Sequence, residues 1–258
     1  LGRAAGARKL AGPDVREDAH TRRTVSFVPT CLLIRHGRTS SNASGTLAGW
    51  TKGVGLDEIG RAQAADLAQR LRGLPIRVVA SSPLQRCVET AQIVASALAD
   101  VTVRTDERLG ECHYGAWTGG SLHDLAKEPL WRTVQDHPSA ARFPDSETFP
   151  GESIAEMQAR GLQAVREIDA EVNAEHGPRA LWAVVSHGDV LKSILADAAG
   201  AHLDHFQRIV VGPASLSVVC YTDRRPFLVR LNDGGTDLTS LVPPPGDAPV
   251  GGGTGGAD

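Results

Sequence analysis

Apolar residues in this chain fall into short runs that end abruptly in polar clusters. Cys31-Leu32-Leu33-Ile34 leads into Arg35-His36-Gly37, Val78-Val79-Ala80 into Ser81-Ser82-Pro83-Leu84-Gln85-Arg86, and Ala183-Val184-Val185 into Ser186-His187-Gly188-Asp189. A weaker case carries Arg108-Leu109-Gly110 into Glu111. Runs of this length and branching are what strands buried on both faces of an α/β sheet require. Helical spacing separates them. Residues 57–72 place Ile59, Ala62, Ala65 or Asp66, Leu67 and Leu71 about three to four apart, with Asp57 as cap and Gly73 and Pro75 as stop. A second helix is predicted from Pro83-Leu84 to about Leu98, with Pro83 in the first turn. A third spans 152–173, burying Ile154, Met157, Leu162, Val165, Ile168 and Val172, and a fourth spans 190–199. Strands are also predicted at 76–80, 101–105 and 181–185, and a terminal hairpin at 216–221 and 227–231.

The ends of the chain break this pattern. In residues 1–29 Arg3, Arg8, Lys9, Arg16, Arg22 and Arg23 outnumber Asp14, Glu17 and Asp18 without apolar periodicity, which predicts a disordered basic leader lacking the apolar core of a secretory signal. Residues 233–258 hold Asp233, Asp237, Asp247 and Asp258 among Gly, Pro and Thr, which predicts a disordered acidic tail. The segment 112–151 has short helices at most, near 121–127 and 130–136, and reads as a lid. One domain, 30–232, is left between the tails.

Composition narrows the function classes. With 258 residues, 41% hydrophobic and 22% charged, the chain is long enough for one large α/β domain. A formal charge of −3 argues against a general nucleic-acid binder, and no apolar run is long enough to cross a bilayer. Cys31, Cys87, Cys112 and Cys220 lack metal-ligand spacing and read as reduced thiols, which places the protein in the cytoplasm. His202 and His205 are three apart, but no third ligand accompanies them, so no metal is expected.

The polar clusters carry the candidate chemistry, because ligands of open α/β sheets bind at the carboxyl ends of strands. Arg35 and His36 sit at one such end, and Gly37 lets the backbone turn. Arg86 falls in the first helical turn after another, where the helix dipole already favours an anion. In order, R-H-G-x-T-x-x-N (Arg35 to Asn42), S-P-L-x-R-x-x-x-T (Ser82 to Thr90), E-x-x-Y-G-x-W (Glu111 to Trp117) and S-H-G (Ser186 to Gly188) resemble the histidine phosphatase superfamily, which includes the cofactor-dependent phosphoglycerate mutases.

The resemblance implies a three-layer, doubly wound α/β fold, with a mainly parallel sheet, helices on both faces and a helical lid insertion. It implies His36 as a nucleophile that becomes phosphohistidine, and Glu111 as general acid and then base. Arg35, Arg86 and His187 would hold phosphoryl oxygens, with Gly37, Asn42 and Gly188 at the same phosphate. No cofactor or metal is implied, and the expected partner is a small phosphorylated metabolite, with no nucleic acid and no membrane; a homodimer is left open. The mutases carry an Arg after the catalytic Glu and paired lid arginines, whereas Cys112 follows Glu111 here and Trp131-Arg132-Thr133 offers one Arg. Pro150-Gly151-Glu152-Ser153 resembles a run common in the phosphatase branches, so the resemblance leans to a phosphatase. A mutase-type phosphotransferase and a silent phospho-ligand-binding module are the alternatives. Trp117, Trp131 and Phe143 are expected to select the ester.

Overall fold

The computed structural model describes Gly2 and residues 28–236; nearly all of the leader and of the tail lies outside these residues. Six strands form one sheet: β1 (Thr30–Arg35), β2 (Ile76–Ser81), β3 (Thr102–Thr105), β4 (Leu181–Ser186), β5 (Leu216–Cys220) and β6 (Phe227–Asp233). Their order is β3-β2-β4-β1-β5-β6. Neighbours from β3 to β1 pair in parallel, and β5 is antiparallel to both β1 and β6, so only β5 runs against the rest.

Alternation along the strands builds two cores. Leu32 and Ile34 of β1, with Val79, Ala183 and Val185, pack under α2 (Glu58–Leu71) and α3 (Gln85–Ala95). Cys31, Leu33, Ala80, Trp182 and Val184 face α6 (Ile154–His176) and α7 (Gly188–Ala198) on the other side. The sheet is therefore the middle of three layers, and β1, β2 and β4 read as continuous apolar runs because both their faces are covered. The chain changes face between β3 and α6, and β4 returns between β2 and β1. Register then aligns the ends of those three strands, with Arg35 beside Ser186 and Ser81 beside Val185. The strand ends that carry the polar clusters become neighbours.

The connection from β3 to α6 holds 3-10 turns at Glu107–Leu109, Gly115–Trp117 and Pro138–Ala140, with α4 (Leu122–Leu125) and α5 (Pro129–Asp136). A short helix, α1 (Ser40–Ala43), follows β1, and a 3-10 helix at Leu203–Arg208 follows α7. Trp117, Trp131 and Phe143 are buried against one another, with the Trp117 and Phe143 ring centroids 5.3 Å apart and the Trp117 and Trp131 centroids 6.2 Å apart. These aromatics are the insertion's own core and do not line the site, contrary to the expectation that they select the ester.

Two helix readings are also corrected. Pro83 precedes the cap of α3, Leu84, whose ψ of 136° is extended, so Pro83 is not in the first turn. In α2 the buried face is Gly60, Ala64, Leu67, Ala68 and Leu71, while Ile59 is 48% exposed and Ala62, Ala65 and Asp66 are exposed. Gly60 is the reason. A Cβ there would lie 2.0 Å from Arg38 O and 2.7 Å from Arg38 N, and one on Gly37 would lie 2.4 Å from Gly60 O. The helix thus turns its bare glycine onto the loop after β1, and Ile59 is rotated out.

This contact makes an unusual stability prediction. An exposed helical Gly→Ala change gains about 1 kcal/mol, but overpacking against backbone costs about 1–3 kcal/mol. Gly60→Ala is expected to lower the melting temperature and the activity together, as thermal unfolding and turnover would record.

Candidate active site

Each polar cluster is fixed by an interaction that its sequence does not announce. After β1, His36 N–H donates to Ser186 O at 3.0 Å and Gly37 N–H to Thr90 Oγ1 at 3.1 Å. Thr90, the last residue of its motif, in turn donates to Arg86 O at 2.7 Å and so ties α3 to the loop. The Gly37 N–H is therefore occupied by Thr90, and what Gly37 supplies is close approach to Gly60, in place of the phosphate contact expected of it. His36 Nδ1 lies 2.7 Å from Gly37 O, an acceptor only, so Nδ1 carries the proton and Nε2 keeps its lone pair.

Arg35 is 1% exposed. Its Nη1 donates to Val211 O at 2.7 Å, and its Nε and Nη2 are buried without a protein partner. Burial lowers this guanidinium to about 10, which still leaves it charged at neutral pH. Arg86, in the first turn of α3, gives Nη2 to Gly49 O at 2.9 Å. Asn42 accepts at Oδ1 from Thr39 N–H and Oγ1–H at 3.1 and 3.0 Å, so the capping box of α1 fixes its amide and leaves Nδ2 free.

Glu111 is held by its backbone. Its carbonyl accepts from Trp50 Nε1 at 2.7 Å and from Arg160 Nη2 at 2.9 Å, while Arg160 also grips Arg108 O and Gly110 O and pairs with Glu152. Trp50 stacks on His113, the centroids 4.4 Å apart, and would collide with any Cβ on Gly110. In the Pro150-Gly151-Glu152-Ser153 run, Gly151 abuts Phe143 O, Glu152 anchors His113 N–H and Arg160, and Ser153 caps α6. Trp50, Gly60 and Arg160 are the functional supports that motif spacing missed, because each acts on backbone from a remote part of the chain.

His36, Arg86, Glu111, Asn42, Tyr114 and Leu122 line one cavity. Arg35 and His187 lie behind it, with the His36 and His187 ring centroids 5.2 Å apart and His187 Nδ1 3.8 Å from Glu111 Oε2. Gly188 opens α7 directly after His187 and does not line the cavity, and Cys112 is buried, its N–H donating to Glu111 Oε1 at 3.0 Å. Burial, then the charges of Arg86 and Arg35, holds His36 well below the imidazole range. Burial, then the Asp189 carboxylate, pushes Glu111 up to about 7. In both groups desolvation is the larger cause. No group of three or more His, Cys, Asp or Glu suited to a metal occurs among the described residues.

A neutral imidazole with a free lone pair, unpartnered guanidinium N–H groups and a carboxyl that keeps its proton to near neutrality are equipment for moving a phosphoryl group. The chain belongs to the histidine phosphatase superfamily (branch 1), whose model matches residues 31–234. A probable phosphoglycerate mutase GpmB from Erwinia tasmaniensis is 34% identical over 189 residues, covering 72% of this chain and 82% of the relative. Among solved structures, Bacillus stearothermophilus YhfR matches with a TM-score of 0.69 at 27% identity, covering 80% of this chain and 97% of its own. The phosphoserine phosphatase of Entamoeba histolytica, in complex with 3-phosphoglyceric acid, matches at 0.67 and 25% identity over 80% and 97%. A mycobacterial glucosyl-3-phosphoglycerate phosphatase complexed with VO3 matches at 0.66 and 25% over 80% and 99%.

The raised carboxyl fixes a pH dependence. A carboxyl can donate only when protonated, so any donor competence of Glu111 is present below about 7 and lost as pH rises through that value. His36, held well below the imidazole range, is neutral where Glu111 titrates. For an alkyl phosphate, kcat/KM is expected to fall above about pH 7. Glu111→Gln should remove this limb of the profile.

Proposed function

We propose that the chain hydrolyses phosphate monoesters through a phosphohistidine at His36 Nε2. The observation that carries this reading is the pairing, in one cavity, of a neutral His36 with a Glu111 carboxyl raised to about 7, above the unpartnered donors of Arg35. The His36 Nε2 lone pair attacks phosphorus, and the P–O bond to the alcohol breaks. Glu111 gives its proton to the departing oxygen. Arg35, Arg86 and His187 meet the charge on the equatorial oxygens, with Asn42 Nδ2 as a neutral donor. Glu111, now ionised, takes a proton from the water that attacks phosphohistidine, which returns His36 and releases phosphate.

The relatives named as probable mutases favour a second reading, phosphoryl return to an alcohol. Against it, the lid's Arg132 is 77% exposed on its side chain and pairs with Asp136, while Arg142 pairs with Glu156. Neither lines the cavity, so neither is placed to grip a substrate carboxylate. The four cysteines, none in a disulfide, support the cytoplasm as the location.

Rapid-quench kinetics test the roles. General acid catalysis is worth about 10²- to 10⁴-fold, so Glu111→Gln should slow the phosphorylation burst of an alkyl phosphate by that order. p-Nitrophenyl phosphate, whose phenolate leaves unaided, should lose far less. Equal slowing of both would make Glu111 a positioning group only. His36→Ala should abolish turnover and the acid-labile phosphoenzyme while leaving the fold intact; acid-stable label on the wild type would refute the phosphohistidine.

A further inference from the structure

The two histidines of the site are both neutral, so each can act either as a lone pair or as an N–H donor, according to its tautomer. For His36 the Gly37 carbonyl decides. For His187 the deciding group is found at the end of β2. Ser82 is buried, and its backbone is fastened on both sides: its N–H donates to Val185 O at 2.9 Å and its carbonyl accepts from Ser81 Oγ at 2.8 Å. Its hydroxyl oxygen accepts from Leu84 N–H at 3.3 Å, at the cap of α3. One hydroxyl proton remains to be placed, and His187 Nε2 lies 2.7 Å away.

We propose that Ser82 is a positioning residue that sets the tautomer of His187: its Oγ–H donates to Nε2 and thereby places the imidazole proton on Nδ1, toward Glu111 and the phosphoryl site. The reverse assignment, Nε2–H into Ser82 Oγ, would leave the buried Ser82 proton only the Cys87 sulfur, a weak acceptor, in place of an imidazole nitrogen. Cys87 agrees with the first arrangement. Its Sγ is 3.3 Å from the same Nε2, and burial pushes its thiol up to about 12, so it brings a second, weaker donor to that nitrogen. His187 Nδ1, 3.8 Å from Glu111 Oε2, is then an N–H aimed into the site without the cost of a buried imidazolium. The two rings are thus held in like tautomers with opposite uses: His36 shows the site its bare Nε2, and His187 shows it its Nδ1–H.

This inference rests on the phosphatase reading for its use in catalysis, but not for the tautomer itself. Long-range proton–nitrogen correlation spectra of histidine-labelled protein, with His187 assigned by comparison with His187→Gln, read the tautomer directly. Wild-type protein should show a protonated Nδ1 and an unprotonated Nε2 for His187. Ser82→Ala should shift His187 toward protonated Nε2, and Cys87→Ala should not. Loss of one properly aimed donor should lower kcat for Ser82→Ala by up to about 10²-fold. A protonated Nε2 in the wild type overturns the proposal even if Ser82→Ala fails to fold; so does a tautomer that responds to Cys87→Ala and not to Ser82→Ala. Absence of p-nitrophenyl phosphate turnover by the wild type would refute the phosphatase reading alone and leave the spectra to judge Ser82.

Discussion

A buried guanidinium, two of whose nitrogens meet no protein acceptor, is the constraint on which this structure turns. It belongs to Arg35, which is 1% exposed. Burying a charge costs several kcal/mol unless it is paired, so the end of β1 favours a group that brings negative charge. The fold tolerates this because β1 and its neighbour β4 are covered on both faces and cannot slide, and because Val211 O and the β5 approach hold the side chain. Under the proposed function, a phosphate dianion would supply that charge. The nearby carboxyls relieve the cost of burial only in part: Glu111 and Asp189 favour the guanidinium through space, but neither hydrogen-bonds it, and Asp189 is engaged by Tyr114 O–H and Lys192.

The same desolvation sets both reacting groups. An imidazole and a carboxyl placed in water at neutral pH would be largely neutral and wholly ionised, respectively. Taken out of water beside two arginines, the imidazole loses its proton more readily, while burial and Asp189 make the carboxyl keep its own. One physical cause therefore leaves the imidazole a lone pair and the carboxyl its proton, provided Glu111 cannot swing out to solvent. Trp50 and Arg160 fix its backbone, and the Cys112 N–H holds its buried carboxyl. Rigid support of the acid is as much a part of the chemistry as the acid itself.

The strands, the order of the clusters and the residues at their ends were legible in the sequence, because a strand covered on both faces leaves a run such as Cys31 to Ile34 and ends where polarity begins. The face of α2 was not legible. Period counting favours the bulky Ile59, and only the tertiary contact of Gly60 with the Arg38 backbone reverses that choice. Arg160 was hidden for a related reason: on a helix it reads as a solvated charge, while its guanidinium in fact spans three carbonyls of the 108–111 segment. The role of Gly37 was misread because a glycine after a strand serves equally for a ligand or for a neighbouring backbone, and spacing cannot separate the two.

The lid bears on substrate choice through packing as much as through charge. An exposed pair such as Arg132 with Asp136 is worth under about 1 kcal/mol and would not by itself keep Arg132 from a substrate carboxylate. Its neighbour Trp131 does more. Trp131 is buried in the lid's aromatic core, and consecutive helical residues point about 100° apart, so fixing Trp131 inward fixes Arg132 outward. Turning Arg132 to the cavity would require α5 to rotate and expose the indole, at a cost of at least about 1.5–3 kcal/mol. Under the proposed function the aromatic residues would act on specificity at one remove: they do not line the cavity, but they hold Arg132 away from it.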